Sequence, residues 1–192
     1  MPMRVVPRHF FVPPELADAA YGDHALPIGC GQTISQPYIV ALMTEIIRPE
    51  KDARVLEIGA GSGYQAAVLA ELVGEVFTVE IVPELARQAR ERLARAGYEN
   101  VRVKEGDGFH GWPEHAPFDA IVVTAAARDI PPPLVAQLRD GGRMILPLGA
   151  PHEVQELVLV TKDGDRIRRE DVLPVRFVAF TRAAAERDAA PS

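Results

Sequence analysis

The stretch Val55-Leu-Glu-Ile-Gly-Ala-Gly-Ser-Gly63 decides the fold. Arg54–Ile58 is a short apolar run without a breaker, followed at once by glycines, and reads as a largely buried strand. From Ser62 to Val73 the apolar residues fall at helical spacing, with Ala66, Ala67, Leu69, Ala70 and Val73 on or near one face. Strand, glycine turn and helix together open a nucleotide-binding α/β unit. The glycines let the backbone approach a ligand closely, and the helix N-terminus supplies free N–H groups.

Spacing narrows the ligand. A dinucleotide fingerprint, G-x-G-x-x-G, seats a pyrophosphate on the helix dipole. Here the third glycine, Gly63, comes one position early, and Tyr64 stands where the fingerprint needs glycine. Glu57 lies inside the strand just ahead of the turn. A carboxylate there repels a pyrophosphate and suits a cofactor with a cationic head. A second acid, Glu80, ends the next strand, Glu75–Glu80. It falls about 20 residues past the first glycine, where a carboxylate reaches ribose hydroxyls. The set favours S-adenosyl-L-methionine over NAD, and over the plainer reading of a glycine turn that holds no ligand.

Composition bounds what the rest can be. Apolar residues make up 47% and charged residues 25% of 192. That is the balance of an ordinary water-soluble chain, long enough for one domain with a sizeable core. A net charge of −6 argues against broad electrostatic binding to nucleic acid or anionic membrane. One cysteine, Cys30, leaves no internal disulfide and no cysteine-based zinc site. The five histidines are scattered, so no metal is expected. No stretch has the length and apolarity of a signal peptide or a membrane span, and a cytoplasmic protein is the expectation.

Prolines interrupt Met1–Pro14, which predicts an irregular arm lying on the domain, with a short helix over Glu15–Tyr21 and a loop over Gly22–Gly31. Ser35 has the position of an N-cap, and Pro37 lies in the first turn of a helix running to about Ile47. Ile39, Leu42, Met43, Ile46 and Ile47 form its apolar stripe. Ser35 has two readings. It is a plain cap, or its hydroxyl joins the free N–H groups of the helix start in an anion site able to hold a carboxylate. Spacing does not choose between them.

Beyond Glu80, Pro83–Ala96 is an amphipathic, Arg-rich helix whose charges form a solvated face. Val101–Lys104 is a strand leading into Glu105-Gly-Asp-Gly108. There Asp107 either hydrogen-bonds the amino group of an adenine or makes an ordinary Asp-Gly turn. Phe118–Thr124 is a strand with a structural Asp119 at its start. Pro131–Leu138 is a helix, Gly141-Gly142 a turn and Arg143–Leu148 a strand. This alternation predicts an α/β, doubly wound, Rossmann-like and mostly parallel sheet with ligands at the strand C-terminal ends. Gln155–Thr161, a turn at Lys162-Asp-Gly-Asp165 and Ile167–Val178 then form a C-terminal antiparallel hairpin, completing seven strands. The chain divides into a single domain over 1–182 and a flexible tail over 183–192. Within the domain, arm and helix (1–48) cover the site, 53–150 is the cofactor-binding core and 153–180 is the hairpin.

These residues resemble a known family. Glu57-Ile-Gly-Ala-Gly-Ser-Gly63, Glu80, Gly106-Asp-Gly108 and the closing hairpin look like a class I S-adenosylmethionine-dependent methyltransferase. More narrowly, Leu26-Pro-Ile-Gly with Gly31-Gln-Thr-Ile-Ser-Gln-Pro-Tyr38 resembles the protein-L-isoaspartate O-methyltransferases. So do Gly63-Tyr-Gln-Ala66, Gly111-Trp-Pro113, Pro117-Phe-Asp-Ala120, Val123-Thr-Ala-Ala126 and Leu173-Pro-Val-Arg-Phe-Val178. The likeness runs from about Val6 to Thr181, and its Gln-Thr-Ile-Ser-Gln-Pro segment is the most specific part.

The resemblance implies methylation of the free α-carboxylate of isoaspartyl residues in damaged proteins and peptides, with S-adenosyl-L-methionine becoming S-adenosyl-L-homocysteine. The ester then collapses to a succinimide that can reopen as aspartate. It implies Ser35 as the active-site serine, with Thr33 and Ile34 lining the site. Glu57, Gly59, Gly61, Glu80, Asp107 and Gly108 are implied as cofactor contacts, and Leu173–Val178 as a wall of the peptide site. Arg176 on that strand either adds positive charge near the substrate or makes a surface ion pair. A monomer without nucleic-acid or membrane partner is the expectation. Members usually carry a further helix ahead of Arg4-Val-Val-Pro7, so the expectation is either a shorter chosen start or a reduced lid. Cys30 is read as a small tolerated side chain. The competing reading is a methyltransferase of the same fold acting on RNA or a small molecule. It calls for a basic groove or a base-stacking motif near the strand ends, and the sequence displays neither.

Overall fold

A computed structural model describes residues 2–150 and 153–183; the expected tail falls, apart from its first residue, outside the described residues. Prolines break the N-terminal arm into short 3-10 segments, Pro2–Arg4, Arg8–Phe11 and Pro14–Ala19. These replace the irregular arm and the Glu15–Tyr21 helix. The loop expected over Gly22–Gly31 instead contains strand β1, Leu26–Gly29, paired antiparallel with β2, Gln32–Ile34. Leu26 and Ile28 point inward in strand alternation, and Gly29, Cys30 and Gly31 all take positive φ to turn the chain. The Pro27 and Gly29 between them disguise that alternation.

Helix α1, Pro37–Ile47, begins on its proline, whose fixed φ and missing N–H suit a first turn. It stops at Arg48, which is left-handed, before Pro49. The Arg143 guanidinium donates to the Ile46 carbonyl (3.0 Å) and ties the end of α1 to the sheet.

The core then alternates. Strand β3, Arg54–Ile58, is followed by helix α2, Tyr64–Ala70. This helix is shorter than the periodic run at both ends: Gly63, at φ 90, is its N-cap, and it closes at Glu71. Next come β4, Glu75–Glu80; α3, Pro83–Arg95; β5, Val101–Glu105; and β6, Phe118–Val123. Helix α4, Pro132–Gln137, leads directly into β7, Leu138–Leu148. Strand β7 starts five residues earlier than the sequence pattern suggests. Leu138 pairs with Phe118, the register slips, and pairing resumes at Ala120 opposite Arg143, so Gly141 and Gly142 lie in an irregularity of the strand rather than in a free turn. Strands β8, Gln155–Asp163, and β9, Arg166–Val175, form the closing hairpin.

The seven-stranded sheet has the order β5-β4-β3-β6-β7-β8-β9, parallel from β5 to β7 and antiparallel from there to β9. The chain leaves β3 towards one edge and returns to β6 on its other side. The crevice of a doubly wound sheet opens at such a reversal, outside the strand C-termini. Alternate residues feed two cores. Val55, Val76, Ala120, Val122 and Ile145 pack with α1 and α2, while Leu56, Ile58, Phe77, Ile121 and Val123 pack with Leu134 of α4. Strand β9 forms the edge, exposed on both faces over most of its length, and carries Arg166, Arg168, Arg169, Glu170 and Asp171, charges that discourage pairing with a further strand.

Candidate active site

The glycine turn lies at the reversal point. Gly59, Gly61 and Gly63 all have positive φ. The Gly59 N–H donates to the Val79 carbonyl (2.8 Å), and the Thr124 N–H to that of Ile58 (2.9 Å), so the turn is pinned between the ends of β4 and β6. A Cβ at Gly59 would overlap the Thr124 hydroxyl, and one at Gly108 would overlap Ile58. The Thr124 Oγ lies 2.8 Å from the Gly59 carbonyl and 3.0 Å from that of Ile58, where it can donate to this same turn.

Two acids border the turn in different states. Glu57 is completely buried, and neither carboxyl oxygen has a hydrogen-bond partner among the described residues. Burial pushes its carboxyl up to about 8, and the nearby Glu80 carboxylate pushes the same way. Thr78, opposite it across the β3–β4 ladder, opposes the shift without closing a hydrogen bond. Glu80 is also buried, but its oxygens are engaged: Oε2 accepts the Gly61 N–H (2.8 Å) and Oε1 the Val82 N–H (2.9 Å). Each oxygen keeps further acceptor capacity. Glu57, Gly59, Gly61, Glu80 and Gly108 all line one cleft.

Asp107 stands at the start of a 3-10 turn, Gly108–His110, and does not line that cleft. Its Oδ1 accepts the Phe109 N–H (2.9 Å), while Oδ2 accepts both Arg182 Nε and the Ala183 N–H (2.9 Å each). Burial acts to raise this carboxyl. The Ala183 and Phe109 N–H groups and the Arg182 guanidinium outweigh it and hold it below its usual value. The guanidinium also stacks over the Phe109 ring, 3.7 Å from its centroid. Nothing in the sequence pattern signals this use of the chain end.

On the acceptor side, Ser35 is not the cap. Gln36 is the N-cap residue of α1, with no side-chain cap bond, because the cap position directly precedes Pro37. The Ser35 hydroxyl makes no hydrogen bond among the described residues. Thr33, Ile34 and Ser35 line the cofactor-side cleft, and a second cleft is bounded by Thr33, Ser35, Tyr38, Pro174, Arg176 and Val178. The two clefts share four residues: Thr33, Ser35, Thr124 and Val178. Arg176 is exposed on the second cleft, away from the glycine turn. Thr124 is the residue at this junction that sequence reasoning passed over, although its place just beyond a parallel strand's C-terminus is a usable signal.

The donor set fits S-adenosyl-L-methionine. A buried carboxyl without a hydrogen-bond partner among the described residues suits a cation, a second carboxylate retains acceptor capacity for hydroxyls, and the glycine backbone leaves room for close approach.

Comparisons with known proteins agree. A family model for protein-L-isoaspartate(D-aspartate) O-methyltransferase matches residues 1–185. The protein-L-isoaspartate O-methyltransferase of Opitutus terrae is 59% identical over 180 residues, 94% of this chain and 77% of that one. Protein-L-isoaspartate O-methyltransferase 2 of Polaromonas sp. is 58% identical over 180 residues, 93% of this chain and 85% of its own. Among solved structures, a protein-L-isoaspartate O-methyltransferase superposes with a TM-score of 0.83 at 34% identity. That match covers 91% of this chain but only 58% of the other. A putative enzyme of the same name from Plasmodium falciparum, in complex with S-adenosyl-L-homocysteine, gives a TM-score of 0.80 at 25% identity over 95% of this chain and 89% of that one. The chain belongs to the protein-L-isoaspartate(D-aspartate) O-methyltransferase family, S-adenosyl-L-methionine-dependent enzymes of the class I methyltransferase fold.

Proposed function

We propose that this chain transfers a methyl group from S-adenosyl-L-methionine to the free α-carboxylate of isoaspartyl residues in proteins and peptides, and that Ser35 orients that carboxylate. The observation that carries the reading is the junction of two clefts at Thr33, Ser35, Thr124 and Val178, with an uncommitted serine hydroxyl at their meeting point. The bound cofactor supplies an electrophilic methyl group on a sulfonium sulfur. The acceptor carboxylate is already ionised at pH 7, so no general base is needed. What the protein supplies is alignment of the reacting atoms and exclusion of water.

The roles divide by position. Glu57 faces the cofactor's ammonium group, Glu80 accepts from the ribose hydroxyls, and Gly59 and Gly61 admit the ligand to the backbone. Gly108 bounds the adenine end, and Asp107, its oxygens taken by Phe109, Arg182 and Ala183, stands behind it outside the cleft. The Ser35 hydroxyl donates to the non-attacking oxygen of the substrate carboxylate, with Thr33 and Ile34 as walls, and Arg176 attracts the anionic substrate at the outer rim. The same reading makes the chain a cytoplasmic monomer without a nucleic-acid partner. The net charge of −6 speaks against a nucleic-acid partner. No helix among the described residues is long and apolar enough to cross a membrane.

A hydrogen bond to a charged group contributes about 1.5–3 kcal/mol. Ser35→Ala is therefore expected to lower kcat for an isoaspartyl peptide by about ten- to a hundredfold, with cofactor affinity by calorimetry near the wild-type value. Undiminished turnover would remove Ser35 from the site.

A further inference from the structure

Arg8 is the largest fully buried side chain among the described residues, only 1% exposed, and it comes from the proline-broken arm. Its guanidinium spends its donors on three backbone carbonyls: Nε on Ala20 (2.7 Å), Nη1 on Ser35 (2.8 Å) and Nη2 on His24 (3.2 Å). Its central carbon lies 5.2 Å from the centroid of the Tyr64 ring, which borders the cofactor-side cleft. No carboxylate of the described residues forms an ion pair with it. Burying a cation without an ionic partner is unfavourable, and an apolar side chain of similar size would fill the space without that cost. A rigid fork that grips three carbonyls at once is, however, something no apolar side chain and no lysine provides.

One of those carbonyls belongs to Ser35, whose neighbours are fixed from the other side. Asp23 Oδ1 accepts the Tyr38 N–H (2.9 Å) and its Oδ2 accepts the Gln36 side-chain amide (2.9 Å). Arg8 thus holds the Ser35 carbonyl while Asp23 holds the Gln36 side chain and the Tyr38 N–H that follow it, and the Ser35 hydroxyl, at the junction of the clefts, has no hydrogen-bond partner among the described residues.

We propose that Arg8 is a positioning residue for methyl transfer: by fixing the Ser35 carbonyl, it fixes the direction in which the Ser35 hydroxyl meets the acceptor carboxylate. This inference rests on the assignment of Ser35 to the acceptor site. Arg8 lines neither cleft, so it acts on the transfer through the residues it holds. The glycine turn, Glu57 and Glu80 lie outside its hydrogen bonds, and its approach to the cofactor-side cleft is through the Tyr64 ring, so the cofactor Kd separates an effect through Ser35 from one through Tyr64.

The test is a double-mutant cycle of Arg8→Lys and Ser35→Ala, with kcat for an isoaspartyl peptide and the Kd for S-adenosyl-L-methionine measured on each protein. Misplacing a reacting group by about 1 Å can cost about a hundredfold. Arg8→Lys in the wild-type background is expected to lower kcat by about ten- to a hundredfold, with cofactor Kd within about threefold of wild type. In the Ser35→Ala background the same substitution is expected to change kcat less than about twofold, because the group it positions is gone. Full kcat in Arg8→Lys overturns the proposal, as does an equal loss of kcat in both backgrounds. A variant that stays unfolded even at saturating cofactor, which stabilises the folded form, marks Arg8 as purely structural and overturns it too. Full turnover in Ser35→Ala instead refutes the assignment of Ser35 itself.

Discussion

A carboxyl that is fully buried and lacks a hydrogen-bond partner is a cost unless a ligand supplies its counter-charge, and among the described residues Glu57 is such a group. Its folded pKa, about 8, lies above its ordinary value, so folding favours its protonated form. The stability it contributes is complete below the ordinary glutamate range and is lost as pH rises towards and through about 8. A cationic cofactor head reverses the preference. Binding of S-adenosyl-L-methionine near pH 7 is therefore expected to release protons, seen as a binding enthalpy that varies with the ionisation enthalpy of the buffer. A binding heat independent of buffer would contradict this role. Glu57 and Glu80 were legible in the sequence because their place before and after a glycine turn fixes where their side chains go. Ser35 was only half legible: a serine near a proline-started helix looks like a cap, and only the placement of Gln36 as N-cap frees its hydroxyl. Arg8 was not legible at all. Its partners lie 12, 16 and 27 residues away, and no local pattern announces them.

At the scale of elements, the glycine turn joins local conformation to the site. Gly59 has φ 94, and a Cβ there would overlap the Thr124 hydroxyl at the end of β6. Gly59→Ala combines a left-handed backbone with a clash. It is expected to cost about 1–3 kcal/mol of stability and to weaken cofactor binding together with it, read as a lower melting temperature and a raised Kd. Wild-type values for both would show that the turn relaxes freely. The strands, α1 and α3 could be read from periodicity and proline or glycine punctuation to within a few residues. The β1–β2 hairpin could not, because Pro27 and Gly29 occupy alternate positions of a strand only four residues long. The early start of β7 was hidden for a related reason: Gly141-Gly142 reads as a turn, and only pairing with β6 draws Leu138 into the sheet.

For the molecule as a whole, topology puts the chemistry together. The reversal between β3 and β6 opens the crevice, α1 and the hairpin β1–β2 bring Ser35 to its mouth, and the segment following β9 closes the far side with Val178. That arrangement was legible in outline from alternating strands and helices followed by an antiparallel pair. The convergence of residues as far apart as Thr33, Thr124 and Val178 was not, since it depends on strand order rather than on any local run. The central claim is that the acceptor is an isoaspartyl carboxylate. Its most direct test offers two synthetic peptides, identical except for an aspartyl or isoaspartyl linkage at one position, to the protein with methyl-labelled S-adenosyl-L-methionine. Base-labile label on the isoaspartyl peptide alone is the predicted result. Label on neither peptide, with cofactor binding confirmed, or equal label on both, would contradict the account.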